Sequence, residues 1–239
     1  MRDLVKSAKT GFLMKEYVTA CAAHENAART RRLLDRIVVD RETHARFVNT
    51  LARLEYVGVR KILKSRRSER IGLDGLQHIL DETVHALRLK KAAVALAGSG
   101  DGVFTFSDGA TLAGNAGESY LQALDHRAEE ALLDLPVGER GEANYHLTSA
   151  AVEVRAQVFY PTYDRCLKEN GVGFSVAAIT KDEDRHLDEM AAGLERTLPD
   201  WRRRLEAVLA AEEALFGRFL GAVEAALAAS TSHGAVSNA

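Results

Sequence analysis

The sequence predicts an all-α protein, and three observations support this fold class. The chain has only three prolines in 239 residues, and it is rich in alanine, leucine, glutamate and arginine, which favour helices. Its apolar residues recur at three- and four-residue spacings, the period of an amphipathic helix, and few segments alternate as strands do. A content of 46% hydrophobic and 28% charged residues suits one globular domain with a buried core. We therefore expect a single helical domain over 1–230 and a flexible tail over 231–239.

The apolar periodicity predicts six long helices. They are placed at 3–34, 40–65, 73–97, 142–168, 175–197 and 200–229. Ser175 and Asp200 are the N-cap residues expected for the last two, and "STSHGAVSNA" after the last helix reads as a frayed tail. The segments "SRRSERIG" and "ENGVGF" are short and rich in turn residues, so each should join two antiparallel helices.

A glycine-rich stretch separates the two predicted hairpins. It runs from Gly98 to Gly141, which is far longer than a usual loop and could cross the length of a helical bundle. Within it, "AGESYLQALDHRAEEALLDL" predicts a short helix. The C-terminal stretch "WRRRLEAVLAAEEALFGRFL" is amphipathic, and we expect it to be a fifth packing helix or an oligomer contact rather than a membrane-surface element.

Charge and cysteine content limit the class of partner. A net charge of -2 gives no general attraction to nucleic acid or anionic membrane. The basic cluster "KSRRSER" at 64–70 is interpreted as a polar interhelical loop, with a binding patch as the alternative. Cys21 and Cys166 stand far apart, which excludes a CxxC metal centre. With neither a signal-peptide pattern nor an apolar run of membrane length, a cytoplasmic protein without nucleic-acid or membrane partners is expected.

Two copies of an Asp-Glu-x-x-His pattern are the most informative feature of the sequence. Residues i and i+3 of a helix project from nearly the same face, so each Glu-His pair could hold one ion. Composition predicts roughly 0.04 such patterns by chance, so finding two is hard to attribute to composition. The copies are Asp81, Glu82 and His85 in "LDETVHAL", and Asp182, Glu183 and His186 in "TKDEDRHLDEM".

Hairpin geometry supplies a partner glutamate for each copy. Residues that face each other in an antiparallel hairpin lie equally far from the turn. A turn near 69 places Glu55 opposite the first copy, and a turn near 170 places Glu153 within one helical turn of the second. Glu42 and Glu142 are the local rivals, but Glu42 lies far from the level of the first copy and Glu142 is nearer its helix start. The chain thus contains an internal repeat.

Metal binding would explain why these side chains could turn inward. Four buried carboxylates would be very costly without counter-charges, whereas two divalent ions would neutralise them. Oxygen and imidazole donors without thiolate favour iron or manganese. Asp81 and Asp182 are rotated around their helices, so each could reach the imidazole N–H of the other hairpin's histidine. The alternatives are an exposed Glu82–His85 ion pair, and a capping box over 180–183 that would start a helix at 181.

The paired single-Glu and Glu-x-x-His helices with a long crossover resemble the ferritin-like di-iron carboxylate proteins. The Asp-Glu-x-Arg-His form is complete at 182–186 and lacks its arginine in the first copy. It is similar to that of the oxygen-activating branch, which includes bacterial hydrocarbon monooxygenases, acyl-carrier-protein desaturases and ribonucleotide reductase small subunits. The resemblance covers about 40–197. It implies a ferritin-like four-helix bundle with extra terminal helices and two iron ions, or Mn/Fe or Mn/Mn. The implied ligands are Glu55, Glu82, His85, Glu153, Glu183 and His186.

The same resemblance implies an oxidase or oxygenase that uses dioxygen to oxidise a small organic substrate. Electrons would come from a separate donor, because the sequence has no flavin or nicotinamide motif. Leu89 stands where the reductases carry a radical tyrosine, and Ile179 where arylamine N-oxygenases carry a third histidine. Two other functions stay open: iron oxidation, storage or peroxide detoxification, and a metal-free interaction scaffold. A homodimer is compatible with the sequence.

Several other residues are candidates for minor roles. Tyr160 lies on the face of Glu153, as a redox or substrate contact or as a core aromatic. Gly58, Ala150 and Ala156 either leave space beside the ions or permit close helix packing. The remaining histidines show no pairing in the sequence, and surface or capping positions are expected for them. They are His24, His44, His78, His126, His146 and His233.

Overall fold

The regular secondary structure is helical throughout the part of the chain that the computed structural model describes, which is residues 14–65, 69, 71–98 and 101–236. The all-α prediction is confirmed there. We number the helices α1 (14–23), α2 (Glu25–Ile37), α3 (Arg41–Ser65), α4 (Leu73–Ala97), α5 (Ala116–Glu130), α6 (Val137–Glu169), α7 (Ala177–Thr197) and α8 (Trp201–Val236).

The predicted helix boundaries hold best in the centre of the chain. Helices α3 and α4 match their predicted ranges within one residue. Helix α7 begins at Ala177 and its N-cap is Val176, one residue after the predicted cap Ser175, although Ser175 Oγ accepts a hydrogen bond from Ala177 N–H at 3.1 Å. Helix α6 begins earlier than predicted, directly after Pro136. The hydroxyl of Ser175 also donates to Asp164 Oδ1 at 2.6 Å, which closes the turn between α6 and α7.

Both terminal helices differ from the prediction. The single helix expected over 3–34 is interrupted at His24, whose backbone is extended and whose Nδ1 accepts a hydrogen bond from Asn26 N at 3.2 Å. His24 is thus the N-cap of α2, which is one of the roles expected for it. Residues 3–13 of that predicted helix lie outside the described part. At the other end, α8 continues to Val236, so the predicted helix end at 229 was wrong, while the flexibility of the tail stays a prediction. Residues 237–239 of that tail are also outside the described part.

Two antiparallel hairpins form the centre of the structure. Helix α3 packs along α4, and Arg41 at the start of α3 donates from Nε to the carbonyl of Leu96 at the end of α4, at 2.6 Å. Helix α6 packs along α7 in the same way. The hairpins meet through contacts between α3 and α6 and between α4 and α7. The inward faces of these four helices surround one common interior.

The glycine-rich crossover is held on the outside of the first hairpin. Asn49 on α3 is buried, and its Nδ2 donates to the carbonyls of Thr105 and Ala110 at 2.9 and 2.7 Å. The hydroxyl of Thr50 accepts from Leu112 N at 2.9 Å. These bonds satisfy backbone groups in a segment that has little regular structure. Helix α5 follows, so the short helix predicted within the crossover is confirmed.

Helix α8 packs against α6 of the second hairpin and against α2 and α5. Its apolar side chains, including Leu205, Phe216 and Val223, are buried in the common core. This agrees with the fifth packing helix predicted from the sequence. Within the described residues, none of the helices combines the length and apolar character that crossing a lipid bilayer requires.

Candidate metal centre

The six ligands predicted from the sequence are all buried, and the structure brings them together between α3, α4, α6 and α7. Together with His78 they form two groups that share Glu82, and in each group the donor atoms lie within 4.8 Å of one another. We call the groups position A and position B. Position A consists of Glu55, Glu82, His85 and Glu183, and position B of His78, Glu82, Glu153 and His186.

His85 presents one ring nitrogen to position A and the other to an aspartate. Its Nδ1 lies 3.4 Å from Glu183 Oε1 and 4.0 Å from Glu55 Oε2. No described atom forms a hydrogen bond with this buried nitrogen. The Nε2 is 3.1 Å from Asp182 Oδ2, on the other hairpin. This contact orients the ring so that Nδ1 points toward two carboxylates, which is the arrangement of a metal-ligating imidazole.

His186 has the same orientation in position B. Its Nδ1 lies 2.8 Å from Glu183 Oε2, 3.5 Å from Glu82 Oε1 and 3.8 Å from Glu153 Oε1. Its Nε2 is 3.4 Å from Asp81 Oδ2, again across the hairpins. The structure therefore contains both of the cross-hairpin contacts expected from the sequence for Asp81 and Asp182.

Arg185, the residue before His186, secures one of these aspartates. Its guanidinium donates to Asp81 Oδ2 and, at 2.7 Å, to Glu189 Oε1. The guanidinium and the hydrogen bonds from Gln77 and His186 outweigh the effect of burial and hold the pKa of Asp81 below its ordinary value. Asp81 is therefore a carboxylate at neutral pH and can accept the His186 N–H.

His78 is a further member of position B that sequence reasoning missed. It was expected at the surface or at a cap, yet it is buried, and its ring stacks on His186 with centroids 4.1 Å apart. Its Nε2 lies 3.3 Å from Glu82 Oε1 and 3.6 Å from Glu153 Oε1, and its Nδ1 is 2.7 Å from Tyr145 Oη. The signal was present in the sequence, because His78 precedes Glu82 by four residues and so shares its helix face.

The other histidines divide between the core and the surface. His44 and His146 are buried, so their predicted surface or capping positions are wrong. His44 Nε2 is 2.6 Å from Tyr163 Oη, and burial lowers the His44 pKa to about 4, so the ring is neutral. His126 is exposed as expected. The side chain of His233 lies outside the described part of the structure.

The carboxyl groups of the centre titrate abnormally because they are buried together. Burial, followed by repulsion from Glu82 and Glu183, raises the pKa of Glu55 well above its ordinary range. Burial, followed by repulsion from Glu183 and Glu82, also raises the pKa of Glu153 well above its ordinary range. Burial alone would lower the pKa of His85, but Glu183, Glu82 and Asp182 outweigh it and raise that pKa to about 9. Without metal, the centre therefore retains protons at neutral pH.

Tyr160 contacts one of the candidate ligands directly. Its buried hydroxyl donates to Glu55 Oε1, and burial together with this carboxylate raises the Tyr160 pKa well above its ordinary value. Its contact is thus more specific than that of an ordinary core aromatic, while a redox role stays a prediction. Leu89 and Ile179 are both buried apolar side chains.

A cavity of about 560 Å³ leads to the centre from outside and reaches Glu55, Glu82, Glu153 and Glu183. Gly58 lines it, and a Cβ there would stand 3.5 Å from Glu82 Oε2. Ala156 lines it as well, whereas Ala150 is buried away from it. The structure thus gives space beside the centre at two of the three small residues noted in the sequence.

The local alternatives to these ligands do not reach the centre. Glu42 is exposed at the start of α3, and Glu142 lies near Arg196, 3.9 Å away. Glu183 is buried well inside α7, which begins at Ala177, so the capping-box alternative is wrong. Comparisons of the chain with protein-family models, curated proteins and solved structures found no match.

Proposed function

We propose that the protein is a di-iron oxidase or oxygenase of the ferritin-like type, which uses dioxygen to oxidise a small organic substrate. The main support for this proposal is the pair of donor groups that lie between four helices and share Glu82. A cavity adjoins both groups. Buried Glu and His side chains in such numbers need positive charge to offset the cost of burying the carboxylates.

The residues present fit two divalent ions of the iron or manganese kind. Every donor is a carboxylate oxygen or an imidazole nitrogen, which suits these metals better than a structural zinc site. The Nδ1 of His85 has no hydrogen-bond partner among the described residues and points into position A, where it could serve as a metal ligand. Position A would hold one ion and position B the other, and Glu82 belongs to both donor groups. Bound iron would supply the electron transfer and open coordination sites that activation of dioxygen requires.

The chain's own residues would control protons and water around this chemistry. Asp182 and Asp81 would accept from Nε2 of His85 and His186, which directs each Nδ1 into the candidate metal centre. The Tyr160 hydroxyl holds a proton at Glu55 Oε1, beside the cavity. Apolar walls around the inner end of the cavity would limit the entry of water and orient a substrate C–H or N–H bond. A cavity lined in this way favours an organic substrate over iron storage.

Metal content is the first test of this proposal. Protein purified without chelator should contain about two iron or manganese ions per chain by plasma mass spectrometry, and the Glu183→Ala/His186→Ala variant should lose both. Glu42→Ala/His126→Ala is the matched control, because it removes the same residue types from exposed positions and should leave the content unchanged. A wild-type protein that stays metal-free after anaerobic reconstitution would overturn the proposal.

The reaction class needs a second measurement. After anaerobic reduction of the metal-loaded protein, added oxygen should be consumed at a rate set by an organic substrate that enters the cavity. If oxygen uptake instead follows added Fe(II) through many turnovers and the chain assembles into a cage, iron oxidation and storage would be the function.

A further inference from the structure

The cavity has walls and a mouth of different chemistry. Its walls are mainly apolar, and its inner end is formed by the carboxylates of the candidate metal centre. Representative wall residues are Leu54, Leu121, Val152, Phe159 and Phe219. A volume of about 560 Å³ is within the range of sites that bind small organic molecules. A fully polar ligand would leave these walls without suitable contacts.

The mouth carries an excess of positive charge. Arg60, Lys61 and Lys64 line it from α3, and Glu118 and Asp125 from α5. The two acidic residues are already engaged: Glu118 with Arg53 and Arg60, and Asp125 with Lys61. No salt bridge to the exposed Lys64 is found within the described residues. Its ammonium group is therefore available to an anion that enters from solvent.

Helix α3 sets the distance between the mouth and the candidate metal centre. Glu55, Gly58 and Lys61 follow one another at three-residue spacing on α3, and all three line the cavity. Lys61 and Lys64 lie about 9 Å and about 13.5 Å beyond Glu55 along the helix axis. Gly58 stands between these ends, where a side chain would narrow the passage.

We infer that the cavity binds a monocarboxylic acid with an extended apolar body, its carboxylate at Lys64 and its apolar end beside Glu55 and Glu82. The apolar walls select the body, and the unpaired ammonium selects the negative charge. The distance along α3 selects medium-chain acids over short ones. That the bound end is then oxidised rests on the proposed function, whereas binding itself does not.

Calorimetric titration of the purified full-length protein with decanoate tests the inference. We expect one molecule bound per chain, with butyrate and 1-decanol binding at least tenfold more weakly. Lys64→Glu should weaken decanoate binding by about tenfold and leave 1-decanol unaffected, because only the charge contact is removed. Lys91→Glu is the control, an exposed lysine on α4 outside the cavity. Equal decanoate affinity in wild type and Lys64→Glu would overturn the inference.

Substitution of Gly58 tests the passage separately from the charge. Gly58→Leu should reduce decanoate binding by more than tenfold, whereas Gly58→Ala should retain it, since its Cβ meets Glu82 at ordinary contact distance. Unchanged binding by Gly58→Leu would place decanoate elsewhere and overturn the inference. Metal content of each variant separates the two proposals. If the wild-type protein contains two metal ions but does not bind decanoate, only this inference is contradicted. If it is metal-free but binds decanoate, only the proposed function is contradicted.

Discussion

Removing the carboxylate of Glu212 should strongly destabilise the protein, because it leaves a buried arginine without its main partner. Arg155 donates from Nε to Glu212 Oε1 at 3.0 Å and from Nη2 to Oε2 at 2.7 Å, a bidentate pair. Only 5% of Arg155 and 1% of Glu212 are exposed. The pair joins α8 to α6, the helix that carries Glu153.

The size of the effect follows from burial and from the contacts that remain. Breaking a buried pair costs about 3–5 kcal/mol because one charge stays uncompensated. Arg155 would retain Glu213 Oε2 at 2.8 Å, whereas the Tyr120 hydroxyl would lose its acceptor, Glu212 Oε1 at 2.7 Å. We therefore expect a loss near the lower end, about 3 kcal/mol for Glu212→Leu. At 2–4 °C per kcal/mol for a domain of this size, Tm should fall by about 6–12 °C.

A double-mutant cycle measured by urea unfolding tests this reasoning. Arg155→Met/Glu212→Leu should recover most of the stability that Glu212→Leu loses, because it removes both charges together. The exposed pair Arg127–Glu130, 2.8 Å apart, is the control, and Glu130→Ala should leave the midpoint nearly unchanged. If Glu212→Leu costs less than about 1 kcal/mol, the buried charge is compensated by other groups and the reasoning fails.

Three further predictions concern the candidate metal centre. His78→Ala should weaken binding of one of two ions and leave the other, as seen in an anaerobic metal titration; equal weakening of both would remove His78 from position B. Metal binding at pH 7 should release protons, because burial and neighbouring carboxylates raise the pKa values of Glu55 and Glu153 and the pKa of His85 is raised to about 9. Calorimetry in buffers of different ionisation enthalpy would measure the proton release. Metal affinity should consequently rise as pH increases toward 9, and a pH-independent affinity would contradict this prediction. Asp182→Ala should lower the affinity of position A by about 10–100-fold, because Nε2 of His85 loses its acceptor, and wild-type affinity in this variant would exclude a supporting role.

Regular periodicity explains why the central helices were predictable. In α3 and α4 the apolar period, the helix ends and the short turn agree, so both helices were placed within a residue. The interruption at His24 was not visible in this way, because apolar residues keep the helical period on both sides of it. A local side-chain bond to Asn26 N decides that break, and such a bond competes with helix propagation at a single residue.

Positions on opposite helices were predictable from equal distance to a turn, which placed Glu55 and Glu153 at the centre. His78 was missed because it was judged as an isolated histidine, although it lies four residues before Glu82. A third histidine had been sought only four residues before Glu183, in the second copy, where Ile179 stands. In an internal repeat, a ligand offset sought in one copy should be sought in both. The burial of His44 depends instead on its bond to Tyr163, a long-range contact that periodicity cannot reveal.

His78 makes the two halves of the repeat chemically different. Position A offers one imidazole, from His85, whereas position B offers two, from His78 and His186. Imidazole suits iron better, whereas carboxylate suits manganese, so position B should prefer iron and position A should accept manganese. Protein loaded anaerobically with equal amounts of both metals should show this order by anomalous diffraction at the two absorption edges. His78→Ala should abolish the preference of position B for iron. The same mixture at both positions of the wild type would show that the geometry of the four helices, rather than the donor set, determines the metal.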